Sequence, residues 1–341
     1  MLEPGTVLHE RYDVIGLIGS GGMGAVYLTG DNRLEGRRCA VKETRLLDAL
    51  SAEAVQTLRA QFHREASILS RLDHPNLPKV SDYFSESDRD YLVMDYIPGQ
   101  DLSRVVAEAR REGHMLSETN VLAWSDQLCD ALSFLHSQSP PILHRDIKPA
   151  NIKLTPEGRV KLVDFGLVKP LDPNDPRTIT SLHGIGSLPY TPIEQYVGEM
   201  GHTDPRSDLY ALGATLYHLL TGETPPSAQD RFLNPSRLMS PRRINAAISP
   251  GVESAILAAM AMHPDDRPRS VSEWRATLPL PPISPPSVGA ADLVPDEAVF
   301  SAPTMRGVDL ATIIRQDGVL VGIAALLLIL ALAATFLVPI S

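Results

Sequence analysis

The chain has 341 residues, 43% hydrophobic and 21% charged, a balance that excludes wholesale disorder and suits roughly two domains or one domain of two lobes. Forty-one acidic residues against 31 basic ones give a net charge of −10, which argues against a general nucleic-acid binder. Two cysteines, Cys39 and Cys129, are too few for a disulfide framework or a four-thiolate zinc site, and a reduced, cytosolic setting is expected. The first thirty residues carry no basic segment followed by an apolar run, so no cleaved secretory signal is expected.

After a lead-in over residues 1–11, Tyr12–Ile18 is rich in β-branched and aromatic residues, and Ala25–Leu28 resumes that character, so both predict strands. Between them Gly19, Gly21 and Gly24 fall at G-x-G-x-x-G, a spacing that lets backbone approach phosphates without obstruction. A dinucleotide-binding turn uses the same spacing but opens a helix at the last glycine. Here Val26 and Tyr27 follow, which favours a phosphate-covering hairpin, with a plain structural turn as the other reading. Lys42 ends the short apolar strand from Cys39, a place where lysine is usually solvated. A helix is predicted over 56–72, from Leu58, Phe62, Leu69 and Leu72. Glu65 sits near that apolar face, where a carboxylate needs a partner, and Lys42 is the plausible one.

Residues 118–137 predict the clearest helix, with Val121, Trp124, Leu128, Leu132 and Leu135 spaced as ordinary core. Directly after it come His144, Arg145, Asp146, Ile147, Lys148, Pro149, Ala150 and Asn151, then Asp164, Phe165 and Gly166.

Beyond residue 278 the composition changes. Residues 279–317 form a linker whose first 25 positions hold seven prolines, a composition suited to a semi-rigid spacer; a docking site for a proline-reading domain is the lesser alternative. Residues 318–340 are uncharged and apolar, long enough to cross about 30 Å of hydrocarbon as one helix. A buried core helix and a removable lipid-anchor signal are the alternatives; the first is usually shorter and the second needs a secretory signal. Arg306 and Arg315 precede the span and no basic residue follows it, so the amino-terminal bulk is expected in the cytoplasm, at the cell membrane.

The set from Ile18 to Tyr27, Ala40 to Lys42, Glu65, His144 to Asn151 and Asp164 to Gly166, in that order, resembles the eukaryotic-like (Hanks-type) protein kinases, in the style of the bacterial serine/threonine members. The resemblance covers residues 12–278 and implies a two-lobed α+β fold. A small antiparallel-sheet lobe with one helix would span about 12–95, and a mainly helical large lobe about 98–278. It implies ATP and Mg2+ as cofactors and protein substrates bearing serine or threonine, with a homodimer as an open option; the apolar run adds a lipid bilayer as partner, and the net charge argues against nucleic acid.

By the same resemblance, Ile18, Gly19, Ser20, Gly21, Gly22, Met23, Gly24 and Ala25 line the nucleotide, with Gly19–Gly24 over its phosphates. Val26 and Ala40 would roof the adenine, while Met94 with Asp95, Tyr96 and Ile97 would be gatekeeper and hinge. Lys42, paired to Glu65, would bind the α- and β-phosphates. Asp146 would be the base, Lys148 would steady the transferring phosphate, and Asn151 and Asp164 would hold magnesium. Glu194 would pair with Arg267, Asp208 would support the catalytic loop, and Ser187 would contact the catalytic aspartate. Arg145 would bind a phosphate placed on Thr178, Thr180 or Ser181 of the activation loop.

Two departures stand out. Pro192, Ile193 and Glu194 occupy a place where the family often has Ala-Pro-Glu, and Lys153 stands where an apolar residue normally lies beneath the adenine. A lysine there is expected to run its ammonium outward along the methylene stem. The alternative functions are a pseudokinase scaffold, which usually lacks one of Lys42, Asp146 and Asp164, and a dinucleotide-dependent enzyme.

Overall fold

Side-chain alternation along the first strands decides what faces the interior cleft. The computed structural model describes residues 1–21, 24–44, 52–86, 88–164, 185–196 and 203–280. Its first part holds strands β1 (Val7–Leu8), β2 (Tyr12–Gly21), β3 (Gly24–Asp31) and β4 (Arg38–Thr44), helix α1 (Ala52–Leu69), and strands β5 (Val80–Glu86) and β6 (Arg89–Asp95). The strands form one antiparallel sheet in the order β1-β2-β3-β4-β6-β5. Residues two apart share a face. Ala25, Tyr27, Cys39, Val41, Tyr91 and Val93 therefore pack with Tyr12, Val14 and Phe84 into an outer apolar cluster. Their neighbours of opposite parity, Val26, Ala40, Leu92 and Met94, join the main core with Leu58, Phe62, Ala66 and Leu69 of α1. Lys42 has the parity of Ala40, so its ammonium is delivered to that same inner side.

The second part begins with β7 (Gln100–Asp101), α2 (Leu102–Arg111) and α3 (Glu118–His136), followed by β8 (Ile152–Leu154) and β9 (Val160–Leu162). Strands β7, β8 and β9 make a small antiparallel sheet. Next come α4 (Pro205–Thr221), α5 (Ala228–Leu233), α6 (Pro241–Ile244), α7 (Pro250–Ala259) and α8 (Val271–Arg275). Helix α4 is buried on every face, from Ser207 to Thr221 with few breaks, which makes it the axis of this half. Helices α3, α7 and α8 pack around it. Its ends are set by side-chain chemistry: Asp204 caps the first turn through the Arg206 amide, and Gly222 (φ 66°) closes the last turn in the left-handed region. Asp101 and Ser117 cap α2 and α3 in the same way, through the amides of Arg104 and Asn120.

The helix predicted over 118–137 is observed at Glu118–His136, and that predicted over 56–72 at Ala52–Leu69, with Leu72 buried in the turn beyond. Cys39 and Cys129 are both free and buried, and burial pushes the Cys129 thiol up to about 12. Among the described residues no helix is long and apolar enough to cross a membrane; the apolar run 318–340 lies outside them, as does the linker from residue 281.

Candidate active site

The glycine-rich segment is a strand hairpin. The β2–β3 ladder runs through Gly19↔Val26 and Ser20↔Ala25 to Gly21↔Gly24, and Gly24 continues into a strand, not a helix. That removes the dinucleotide-binding reading, which needs a helix at that glycine. Gly24 has φ 149°, and a Cβ there would lie 1.8 Å from the Glu43 carbonyl oxygen, so only glycine fits. Ile18 is exposed on this hairpin, whereas Val26, Ala40 and Met94 join the main core, to which Leu154 also belongs. Gly22 and Met23 lie outside the described residues.

Across the cleft, the segment His144–Asn151 is organised by one buried carboxylate. Asp208, fully buried on α4, accepts from the backbone amides of His144 (2.8 Å) and Arg145 (2.8 Å) and meets His136 Nε2 at 2.9 Å. Burial works to raise its pKa, but the His136 contact and the Arg145 amide prevail and hold it below the usual carboxylate range. Arg145 sits at φ 65°, a conformation that costs a non-glycine residue energy, and the two bonds to Asp208 hold it there. His144 is fully buried, and burial pushes its imidazole down toward the neutral form. Its Nε2 lies 3.2 Å from the Val163 carbonyl, so Nε2 carries the proton and ties this segment to the chain entering Asp164.

That frame aims Asp146. Its carboxylate accepts from Lys148 Nζ (3.0 Å and 3.3 Å) and from Asn151 Nδ2 (2.9 Å), and its backbone oxygen also accepts from Asn151 Nδ2 (2.8 Å). Lys148 Nζ donates as well to Ser187 Oγ at 2.6 Å, joining the carboxylate and a buried hydroxyl through one ammonium. With Nδ2 of Asn151 so engaged, its amide oxygen is the atom left to face a cation.

Lys42 departs from the expected pairing. Its Nζ lies 2.7 Å from Asp164 Oδ1, while Glu65 accepts from Gln61 Nε2 at 2.9 Å. Helix α1 approaches the sheet at β5 and β6, and the carboxylate that reaches Lys42 comes instead from the end of the β9 segment. Lys42 is the first cause of a lowered Asp164 pKa, so the carboxylate stays ionised. Asp164 also has φ 64°, a second strained position within this small site. The ion pair links residues 122 apart and brings the two halves of the molecule together at the cleft.

Around this centre the remaining expected residues fall as follows. Asp95 ends β6 and its side chain meets Arg37 at 3.3 Å; residues 96–98, including Tyr96 and the half-buried Ile97, belong to no strand and join the halves. Lys153 runs back to the Gly99 carbonyl oxygen at 3.3 Å. Glu194 and Arg267, both buried, make two contacts of 2.6 Å and 3.0 Å, with Ser207 Oγ donating to the same carboxylate at 2.8 Å. The Pro-Ile-Glu variant therefore keeps its anchor. Phe165, Gly166, Thr178, Thr180 and Ser181 lie outside the described residues. His136 was not singled out by sequence reasoning: it ends a helix whose pattern reads as core, and nothing in its spacing points to Asp208, 72 residues away.

Two carboxylates of this cleft are each held by a lysine, Asp164 by Lys42 and Asp146 by Lys148. Residues 12–268 match the family model described as the protein kinase domain. The chain is 36% identical over 290 residues to a probable serine/threonine-protein kinase of Corynebacterium efficiens, which covers 80% of this chain and 42% of that protein. It is 34% identical over 280 residues to the serine/threonine-protein kinase PrkC of Bacillus subtilis, covering 80% and 41%. The chain thus spans less than half the length of these curated relatives. Among solved structures, the kinase domain of Mycobacterium tuberculosis PknI matches with a TM-score of 0.62 at 26% identity, over 81% of this chain and 98% of that one. The PpkA-294 apo form matches with a TM-score of 0.66 at 26% identity, over 81% and 99%. The sheet half and helical half are the two lobes of the protein kinase fold, and the chain belongs to the protein kinase domain family.

Proposed function

We propose that the chain transfers the γ-phosphoryl group of ATP to serine and threonine hydroxyls of proteins. The observation that carries this reading is the Asp146 carboxylate held by Lys148 and Asn151, with Lys148 also on Ser187. Phosphoryl transfer asks for alignment and neutralised charge. An acceptor hydroxyl beside Asp146 attacks the γ-phosphorus; its O–P bond forms while the bond from phosphorus to the β–γ bridging oxygen breaks. Asp146 takes the hydroxyl proton, and ADP leaves. Lys148 is placed to offset charge on the moving phosphoryl group, and Lys42 to meet the α- and β-phosphates. Lysine two residues after the base suits serine/threonine acceptors.

Asn151 and Asp164 offer an amide oxygen and a carboxylate held ionised by Lys42, a hard-oxygen set that fits magnesium. Magnesium held there supplies charge neutralisation at the phosphate oxygens. Gly19–Gly24 cover those phosphates, Val26 and Ala40 roof the adenine, and Asp95 and Ile97 present backbone to its edge. Residues 318–340 anchor the enzyme as a single span, and Arg306 and Arg315 support a cytoplasmic kinase domain. The test is direct: purified wild type should turn over ATP with magnesium and label a generic protein acceptor, and Asp146→Asn should fall by at least about a hundredfold. Equal activity in both proteins, or none in the wild type, refutes the reading, the latter in favour of a pseudokinase scaffold.

A further inference from the structure

Helix α5 is short and lopsided. Its inner side is filled and pinned: Ala228 is fully buried, and Arg231, 8% exposed, donates to the Tyr210 hydroxyl (3.0 Å) and the Met260 carbonyl (2.9 Å). Ser227 caps it through the Asp230 amide at 3.1 Å. The next two residues face water, Phe232 at 70% exposure and Leu233 at 84%. Met239 follows at 48%, its carbonyl fixed by the Tyr217 hydroxyl at 3.1 Å. These apolar side chains are not spare core, because the core beneath α5 is closed without them.

Exposed arginines lie close to them in the chain. Arg237, Arg242 and Arg243 are all exposed; Arg237 pairs with Asp230, and Arg242 Nε reaches the Ile248 carbonyl. Of the four arginines in residues 231–250 Arg231 is buried, and the three exposed ones are accompanied by Asp230, paired with Arg237, and by Glu253, which accepts from the Arg242 amide, in a chain whose net charge is −10. Three exposed arginines against Asp230 and Glu253 leave a small positive excess beside projecting apolar tips on an acidic molecule. Large apolar side chains accompanied by guanidinium groups suit the boundary of an anionic bilayer, where the tips enter the acyl edge and the arginines meet headgroup phosphates.

We propose that the face formed by Phe232, Leu233, Met239, Arg237, Arg242 and Arg243 docks on an anionic membrane surface. The inference rests on the anchor reading for residues 318–340. The intervening residues 281–317, 37 in all, reach at most about 130 Å, whereas a domain of this size has a radius of gyration of about 19 Å. A tether of that length lets any face touch the bilayer, so a dedicated face is what would select one orientation. Because α5 packs against the turn Ile185–Tyr190 that carries Ser187, docking would set the acceptor site at a fixed height over the lipid.

The test uses the full chain carrying Leu233→Cys, labelled with a polarity-sensitive fluorophore; Cys39 and Cys129 are buried and stay unlabelled. It is reconstituted into phosphatidylcholine vesicles with and without about 30% phosphatidylglycerol, an anionic lipid. The expected result is a blue-shifted emission only with the anionic lipid. The shift should vanish at about 0.5 M salt and in the Arg237→Glu/Arg242→Glu/Arg243→Glu variant, whose kinase activity in detergent is unchanged. Unshifted emission in a carbonate-resistant preparation overturns docking and leaves the anchor standing, whereas extraction by carbonate overturns the anchor. A shift in lipid-free detergent that grows with protein concentration overturns lipid docking in favour of a second copy.

Discussion

Asp164 shows how one carboxylate can be held ready by a single neighbour. Lys42 at 2.7 Å lowers its pKa, and the strained backbone at φ 64° turns it toward the cleft. Asp164→Asn keeps the shape but removes the charge that would meet a divalent cation. We expect magnesium-dependent nucleotide affinity, measured by calorimetry, to fall at least about tenfold, roughly the weight of one lost charged ligand. Thermal stability without nucleotide should change little, because both partners are partly exposed. Affinity equal to wild type would remove Asp164 from the metal site. A second residue-scale expectation concerns Arg145, whose backbone Asp208 fixes. A phosphate carries three strong acceptors that a guanidinium can bind in pairs. Mass spectrometry of the wild type should find phosphate on Thr178, Thr180 or Ser181, with Thr180 foremost, and none in Asp146→Asn. An active enzyme with an unmodified loop would defeat that mechanism. At this scale the grouping of Asp146, Lys148 and Asn151 was legible, because their short motif fixes order and spacing. The partner of Lys42 was not, because spacing along the chain does not say which of two carboxylates swings nearer.

At the scale of elements, Asp208 couples helix α4, the end of α3 and the strained turn at Arg145. Its folded pKa is depressed, so its stabilising contribution is complete above the unfolded value of about 3.9 and is lost as pH falls through the folded value. Asp208→Asn keeps one acceptor but loses the charge. We expect it to unfold more easily in urea at pH 7, by about 1–3 kcal/mol, with the gap to wild type closing as pH is lowered below about 4. A gap that is constant across that range would show that charge plays no part. Helices α1 and α3 were legible because their apolar residues repeat at three and four over several turns. The alternation in β3, β4 and β6 places Val26, Ala40, Lys42 and Met94 on one face, a placement that local pattern contains but that becomes visible only once the strands are paired. Strands β7, β8 and β9 have two or three residues each, too few for any period to register. Helix α2 was hidden by its composition, since only Leu102, Val106 and Ala109 are buried in a ten-residue segment rich in charge.

For the whole molecule, the decisive contrast lies between the described fold and the apolar run at 318–340. Fourteen of its 23 residues are leucine, isoleucine, valine or phenylalanine. At about 0.3–0.6 kcal/mol each, they favour insertion by roughly 4–8 kcal/mol, with no charged residue to oppose it. The kinase motifs all precede residue 195, the Glu194–Arg267 pair closes the large lobe, and α8 ends at Arg275. Deleting residues 304–341 should yield a protein that remains in solution after ultracentrifugation and phosphorylates a generic acceptor as well as the intact chain in detergent. The intact chain should sediment with membranes and resist carbonate. Intact protein in the soluble fraction would refute the span, and a truncated protein that folds but loses activity would show that the tail takes part in catalysis and does more than tether it.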